Sequence, residues 1–170
     1  MLHHASFNAR DPQNVARVLA EMLGATVIRA PSPPFPSGSW FVCYGDSGGS
    51  FLEVLPWGSV LDPETQFGVG HDEDMRPRTG AHVLVSTPHT LEVIEAAAAR
   101  EGWRSQVVDA RLFKIVKIWI ENATLVELLP PEMAVTYLET FGTAGLPALD
   151  AKLRKLEAPL TGRSSPPVSG

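Results

Sequence analysis

Two histidines and two glutamates occupy matching places in the two halves of the sequence. His4 and His82 come early in their halves, and Glu53 and Glu127 come late. Imidazole and carboxylate groups are ligands that borderline and hard divalent ions accept, with positions left open for water or substrate. A carboxylate among apolar neighbours is costly to bury, and a bound cation offsets that cost. If an approximate twofold axis brings the halves together, these four side chains predict a single metal site.

Strand alternation decides which side chains accompany these ligands. Successive side chains of a β-strand lie on opposite faces of the sheet. Ser6 and Asn8 therefore share the face of His4, and Phe51 shares the face of Glu53. We expect Ser6, Asn8 and Phe51 to contact the substrate.

His3 is the alternative to His4 as the first ligand. A shift of the first strand by one residue would exchange the two histidines and would move every other side chain to the opposite face. That shift would turn Phe7 toward the site and bury Ser6 and Asn8. The pattern therefore favours His4.

Two helices are predicted, each after the first strand of its half. Asp11-Pro12 and Thr87-Pro88 each combine a side-chain N-cap with a proline at the first helical position. Gly24 and Gly102 predict the left-handed residues at which the two helices end. Apolar residues recur between these points at helical spacing, namely Val15, Val18, Leu19 and Met22 in the first helix and Leu91, Ile94 and Ala98 in the second.

The strands of the two halves follow the same order. The clearest internal echo is Phe51-Leu52-Glu53-Val54-Leu55-Pro56 against Leu125-Val126-Glu127-Leu128-Leu129-Pro130. The sequence therefore predicts an α+β fold of two tandem βαβββ modules, over residues 2–56 and 80–130, whose curved mixed sheets surround a central cavity. The predicted strands are Leu2–Ala9, Thr26–Ala30, Trp40–Tyr44, Ser50–Leu55, Ala81–Ser86, Ser105–Asp109, Phe113–Ile120 and Thr124–Leu129.

The remaining segments flank these modules. Residues 57–79 form a long irregular link, and the modules with this link make one domain over residues 1–130. Residues 131–160 are predicted to be a helical extension, beginning with a helix over Glu132–Phe141, and residues 161–170 a flexible tail. Leu149, Leu153 and Leu156 mark one face of a second helix, which packs either on a partner chain or on its own domain.

Composition excludes several classes of protein. The chain has 170 residues, a net charge of −5 and one cysteine, Cys43. A single cysteine excludes an internal disulfide framework, and the negative charge argues against nucleic-acid binding. We expect a cytoplasmic protein with no membrane span, because neither a signal peptide nor a long apolar run is found.

One short motif resembles a catalytic one. Gly45-Asp46-Ser47-Gly48-Gly49 copies the nucleophile motif of trypsin-like proteases, but it joins two predicted strands, and its residue types are those of an ordinary turn.

The paired modules with His4, Glu53, His82 and Glu127 resemble the vicinal oxygen chelate superfamily, the group of glyoxalase I and methylmalonyl-CoA epimerase. The resemblance covers about residues 2–130. The aromatic pair that this family usually carries in the first helix is absent, and Val18-Leu19 stand there instead.

The resemblance implies a lyase or isomerase that moves a proton at a carbon next to a carbonyl. One divalent ion (Ni, Co, Zn, Mn or Fe) would stabilise the developing negative charge. Glu127, or its counterpart Glu53, would act as the general base. Arg76 or Arg78 in the link would meet an anionic group of a small-molecule substrate or thioester.

Three alternatives share the fold. An iron-dependent extradiol dioxygenase uses two histidines and one carboxylate, so a fourth ligand counts against it. Proteins similar to the bleomycin-resistance proteins sequester a ligand without metal, and the full ligand set counts against them. A thiol transferase of the fosfomycin-resistance type is expected to use three ligands. Members of this superfamily often form homodimers, and the site forms either within one chain or between two.

Overall fold

Two four-stranded mixed sheets, neither of them closed, form the frame of the molecule in a computed structural model that describes residues 3–61 and 69–157. The strand orders are β1-β4-β3-β2 and β7-β10-β9-β8. In chain order the elements are β1 (His4–Ala9), α1 (Pro12–Leu23), β2 (Thr26–Arg29), β3 (Trp40–Cys43), β4 (Phe51–Pro56), β5 (Ser59–Leu61), β6 (Val69–His71), β7 (His82–Ser86), α2 (Leu91–Arg100), β8 (Arg104–Asp109), β9 (Lys114–Ile120), β10 (Thr124–Leu129), α3 (Pro131–Phe141) and α4 (Leu146–Glu157).

The two sheets repeat one topology. β1 pairs with β4 in parallel and β7 pairs with β10 in parallel, while the other neighbours in each sheet are antiparallel. The α+β fold of two successive βαβββ modules, predicted from the internal echo, is confirmed. None of the described helices, which have 10 to 12 residues, is long and apolar enough to cross a membrane.

Helix α1 forms as its sequence predicts. The Asp11 carboxylate accepts the backbone N–H of Asn14 at 3.0 Å, and Pro12 is the first helical residue. Gly24 ends the helix with φ of 63°, a left-handed conformation that favours glycine. The predicted apolar stripe is fully buried, at Val15, Val18, Leu19 and Met22.

Helix α2 begins three residues later than predicted, at Leu91 rather than Pro88, and Thr90 is its N-cap. Thr87 does not cap it: the Thr87 hydroxyl donates to the carbonyl oxygen of Met22 in the other module. Pro88 lies against Gly24, where a Cβ would come within 2.9 Å of the proline Cγ. A contact between modules has therefore replaced the local capping pattern. The C-cap is Glu101 rather than Gly102, which keeps a positive φ of 67°.

The link between modules is less irregular than predicted. β5 and β6 pair antiparallel, with Ser59 opposite His71, and His71 lies directly over Gly58. Residues 62–68 between these strands lie outside the described part of the chain.

The modules are joined by polar contacts across α1 and α2. The Glu101 carboxylate accepts hydrogen bonds from Asn14 at 2.9 Å and from Arg17 at 3.3 Å, and the Asn14 bond is the main cause of a lowered pKa at Glu101. The Arg100 guanidinium binds both oxygens of Glu21, at 3.0 and 2.7 Å. At the other end of α1, both oxygens of Glu121 accept backbone N–H groups, one from Arg10 and one from Asp11.

The extension after residue 130 is helical, as predicted. α3 packs on β9 through a cluster of rings in which Phe113 makes edge contacts with Tyr137 and Phe141. α4 packs on α3, and Leu149 and Leu153 are half-buried there. The side chain of Leu156 and the predicted tail lie outside the described residues.

Candidate metal and substrate site

The register of the first sheet places the predicted residues of the first module on one face. His4 lies opposite Phe51, Ser6 opposite Glu53 and Asn8 opposite Leu55. The intervening residues of β4, Leu52 and Val54, are buried in the core with α1. We call the face that carries Glu53 in the first sheet, and Glu127 in the second, the site face.

Glu53 is a buried carboxylate with a neutral neighbour. It is 7% exposed, and its Oε2 accepts a hydrogen bond from the Ser6 hydroxyl at 2.6 Å. It makes no ion pair within residues 3–61 and 69–157. Burying a carboxylate without a cation is unfavourable, so this position is suited to receive one.

The two adjacent histidines have different surroundings. The Nδ1 of His3 donates to the Gly48 carbonyl at 2.8 Å, which ties this ring to the turn before β4. The His4 ring stacks on Phe51, with ring centres 5.0 Å apart and planes inclined by 10°. His4 thus shares the site face with Ser6 and Glu53, which is the arrangement the alternation predicts.

In the second module a histidine and a glutamate meet directly. His82 Nε2 lies 3.7 Å from Glu127 Oε2, with the glutamate 9% exposed. The Nδ1 of the same ring donates to the Gly80 carbonyl at 3.0 Å. Because a carbonyl only accepts, the proton of the neutral imidazole is on Nδ1, and the lone pair of Nε2 is left on the side of Glu127.

Lys117 is a functional candidate that the sequence analysis missed. It lies directly opposite Glu127 in the β9–β10 pairing, and its Nζ is 3.7 Å from Glu127 Oε1. Glu127 therefore stands between an ammonium group and an imidazole. Alternation along the predicted strand 113–120 puts Lys117 on one face with Trp119, but only the pairing of β9 with β10 places it beside Glu127.

The four predicted ligands form two separate half-sites. Among the described residues, no three His, Cys, Asp or Glu side chains are grouped so that they could hold an ion. The structure brings His82 to Glu127, and it brings Glu53 to Ser6 rather than to His4.

A cleft of about 310 Å³ lies between the two modules. Its walls include His4 and Phe51 from the first sheet, Tyr44 just after β3, and Leu84 and Ser86 from β7. The Tyr44 hydroxyl is buried and has no hydrogen-bond partner in the described structure. Burial, with a smaller contribution from the charge of Asp46, raises the pKa of Tyr44 to about 12.

The other predicted substrate contacts divide in two. Asn8 Nδ2 donates to the carbonyls of Pro56 and Ser59, at 3.0 and 2.8 Å, and so fixes the turn between β4 and β5. Arg76 and Arg78 line a cavity of about 170 Å³ beside Ser6 and Asn8. Arg78 also lines a larger cavity on the second sheet.

The chemistry of the His82–Glu127 pair fits a divalent ion. Metal–nitrogen and metal–oxygen bonds are about 2.1 Å long, so donors 3.7 Å apart can share one ion with little movement. The Gly80 carbonyl accepts from Nδ1 and so orients the imidazole, as backbone carbonyls behind histidine ligands do in metal sites. Lys117 opposes the binding of a metal ion, because its ammonium group already neutralises part of the charge of the Glu127 carboxylate.

Comparison with known proteins identifies the fold. No protein-family model matches the sequence, and no curated protein matches it. The fosfomycin resistance protein FosX from Listeria monocytogenes is 13% identical, with a TM-score of 0.50 over 75% of this chain and 88% of that one. A glutamate-to-glutamine mutant of the same FosX, complexed with Mn(II) and 1S,2S-dihydroxypropylphosphonic acid, gives 13% identity and a TM-score of 0.50 over 75% and 87%. A glyoxylase/bleomycin resistance protein/dioxygenase domain from Frankia sp. EAN1pec is 17% identical, with a TM-score of 0.49 over 75% and 94%.

These likenesses establish the architecture. At 13% identity the likeness to FosX shows the fold alone, and the chain has the same paired βαβββ fold as that protein.

Proposed function

We propose that the chain is a divalent-metal-dependent enzyme of the glyoxalase type, a lyase or isomerase that moves a proton at a carbon next to a carbonyl. The observation that carries this proposal is the His82–Glu127 pair. The Gly80 carbonyl holds the imidazole so that the lone pair of Nε2 faces a buried carboxylate at 3.7 Å. A ring fixed in this way is ready to bind a cation or to exchange a proton.

His4 and Glu53 are the proposed remaining ligands. Glu53 is buried without a cation, and His4 stands on the same face against Phe51. For all four residues to serve one ion, the two half-sites have to face each other. This requires either closure of the cleft within one chain or the approach of a second copy in a homodimer.

The residues divide the work as follows. A bound divalent ion would supply a positive charge to the carbonyl oxygen of the substrate. The Glu127 carboxylate takes the proton from the adjacent carbon and returns it, with Glu53 as the alternative base. Lys117 flanks Glu127 and holds its Oε1 in place between proton transfers, while the lone pair of His82 Nε2 faces Oε2.

Metal content tests the site. Untagged protein is incubated with Ni, Co, Zn, Mn or Fe and then desalted. We expect mass spectrometry to find about one retained metal ion for each proposed four-ligand site. His82→Ala should lose it, because Nε2 is a proposed ligand, whereas His71→Ala should retain it, because His71 lies over Gly58 in the link. Retention in His82→Ala, or loss in His71→Ala, would contradict the proposed ligands. Mn(II) belongs in this series because FosX is described with it.

Isotope exchange tests the chemistry. We expect the metal-loaded protein in D2O to introduce deuterium next to the carbonyl of at least one compound in a series of 2-hydroxy ketones, 2-oxo acids and thioesters, followed by NMR. Glu127→Gln should abolish the exchange and should leave the fold intact by circular dichroism. Exchange that survives in Glu127→Gln and stops in Glu53→Gln would transfer the base to Glu53.

A metal-free ligand-binding protein is the second candidate, and Lys117 is the observation that favours it. An ammonium group 3.7 Å from Glu127 stabilises the buried carboxylate without any ion. Absence of metal from the wild type after every reconstitution would favour this candidate over the enzyme.

A further inference from the structure

A second cavity, of about 500 Å³, lies on the second sheet and is lined by cations. Its walls carry the side chains of Arg78, Arg104 and Lys117, together with three uncharged residues. The uncharged residues are Gln106, Trp119 and Asn122. No acidic residue of the described chain is among these walls, and the carboxylate next to them is Glu127, which reaches Lys117 from the half-site. Three positive charges converging on one concavity are unusual in a chain with a net charge of −5.

Strand register explains why these groups meet. Arg104 lies opposite Trp119, and Gln106 lies opposite Lys117, in the antiparallel pairing of β8 and β9. Because Lys117 in turn lies opposite Glu127, all these side chains belong to the site face of the second sheet. The cavity therefore adjoins the His82–Glu127 half-site through Lys117.

Asn122 organises the two arginines. Its backbone carbonyl accepts a hydrogen bond from Arg78 Nε at 3.4 Å, and its side-chain oxygen accepts the backbone N–H of Arg104 at 3.0 Å. Its amide nitrogen donates to the Gly102 carbonyl at 3.1 Å. The backbone of Arg78 is fixed too, since its N–H donates to the Ala123 carbonyl at 2.8 Å.

The backbone of Arg78 is strained, because its φ of 60° lies in a region that side chains other than glycine rarely adopt. The positive φ of Asn122, 56°, belongs to the tight turn Glu121–Asn122 between β9 and β10, in which both central residues have positive φ. Strained residues persist where the surrounding structure holds them, and they cluster at binding sites. The bonds from Arg78 to the carbonyls of Asn122 and Ala123 are such a framework, and they hold the Arg78 guanidinium at the cavity.

From this arrangement we infer that the cavity binds an oxyanion, a carboxylate or phosphate group of the substrate, through Arg78, Arg104 and Lys117. Guanidinium groups present paired donors to such an anion, and lysine adds a point charge. Lys117 is shared with Glu127, so the anion binds within reach of the proposed base. The inference deepens the proposed function only by assigning the substrate class, since anion binding itself needs no metal.

The test is a titration of chelator-treated, metal-free protein, followed by NMR through the side-chain N–H signals of Gln106, Trp119 and Asn122. The ligands are inorganic phosphate and acetate, each added at constant ionic strength, because salt screens exposed charges. We expect saturable shifts of these signals with at least one ligand, and the ligand that saturates first identifies the anion. Arg104→Gln should weaken binding about tenfold, as expected for loss of a charged hydrogen-bond partner.

Arg29→Gln is the matched control, since it removes the same charge from an exposed position on β2, in the other sheet. We expect its affinity to stay within about twofold of the wild type. Arg78→Gln is a second test variant if Arg104→Gln does not fold. Failure of the three signals to saturate with either anion would overturn the inference, as would an equal loss in Arg29→Gln and both test variants.

His82→Ala separates the inference from the proposed function. We expect it to bind the anion as the wild type does while it loses metal. A protein that binds metal but no anion would overturn only the substrate class. A protein that binds the anion but never metal would overturn only the metal-dependent enzyme.

Discussion

In the first module the buried carboxylate of Glu53 faces the neutral hydroxyl of Ser6, whereas in the second module Glu127 stands between His82 and Lys117. The helices differ in the opposite sense. α1 buries seven residues, and α2 buries only Ile94, Ala97 and Ala98. The two modules therefore share one topology but differ in the burial of their helices and in the charges around their glutamates. The helix of the first module is the more deeply buried of the two, and the second module gathers charge on its site face.

The largest expected effect tests the difference in burial between the two helices. Leu19→Ala in α1 should destabilise the protein by about 2–5 kcal/mol, because a fully buried leucine leaves a cavity. Val93→Ala in α2 should change the free energy of unfolding by less than about 1 kcal/mol, because Val93 is 39% exposed. Urea unfolding measures both, and similar losses would contradict the asymmetry between the helices.

The next effect tests the division of charge. Glu127→Gln in metal-free protein should lower stability by about 1 kcal/mol, because it removes the carboxylate partner of Lys117. Glu53→Gln should leave stability within about 0.5 kcal/mol of the wild type or raise it, because the amide oxygen can still accept from Ser6 and no buried charge remains. Thermal unfolding at neutral pH compares the two variants. A larger loss in Glu53→Gln than in Glu127→Gln would show that Glu53 has a cationic partner in solution.

The smallest effect concerns Tyr44 in the cleft. Tyr44→Phe should be neutral or stabilising by up to about 1 kcal/mol, because the hydroxyl it removes is buried without a partner. Its titration gives a pH test. Burial raises the pKa of Tyr44 from 10.0 to about 12, so ionisation of the phenol is less favourable in the folded state than in the unfolded state. Stability is therefore unaffected by this group below pH 10 and is lost as the pH rises through 12.

Tyrosinate absorbance checks that sign. The folded wild type should show a late phase near pH 12 that is missing in Tyr44→Phe. A Tyr44 that ionises near pH 10 would mean that the cleft is open to water.

Much of the architecture could be predicted from the sequence, because local patterns determine it. Thr124–Leu129 is a strand with the predicted bounds, and α1 has the predicted proline and glycine at its ends. The start of α2 could not be predicted, because Thr87 serves the Met22 carbonyl in the other module and no local pattern contains that contact.

The candidate site was predictable only in part. Alternation places His4, Ser6 and Glu53 on one face, and the register agrees. The position of Lys117 beside Glu127 depends on the pairing of β9 with β10, which periodicity within one strand does not specify. Whether the two half-sites serve one ion depends on the distance between modules, and the four ligands remain a prediction.

Both ends of α1 are completed by the opposite module. Glu121 receives the backbone N–H groups of Arg10 and Asp11 before the helix, and Thr87 donates to the Met22 carbonyl in its last turn. A first module excised alone would leave these groups without their partners, and the buried surface of its helix without part of its cover. The duplicated halves have thus become one cooperative folding unit. The amides of α1 should exchange with solvent only when the whole molecule unfolds, even though the sequence still reads as two copies.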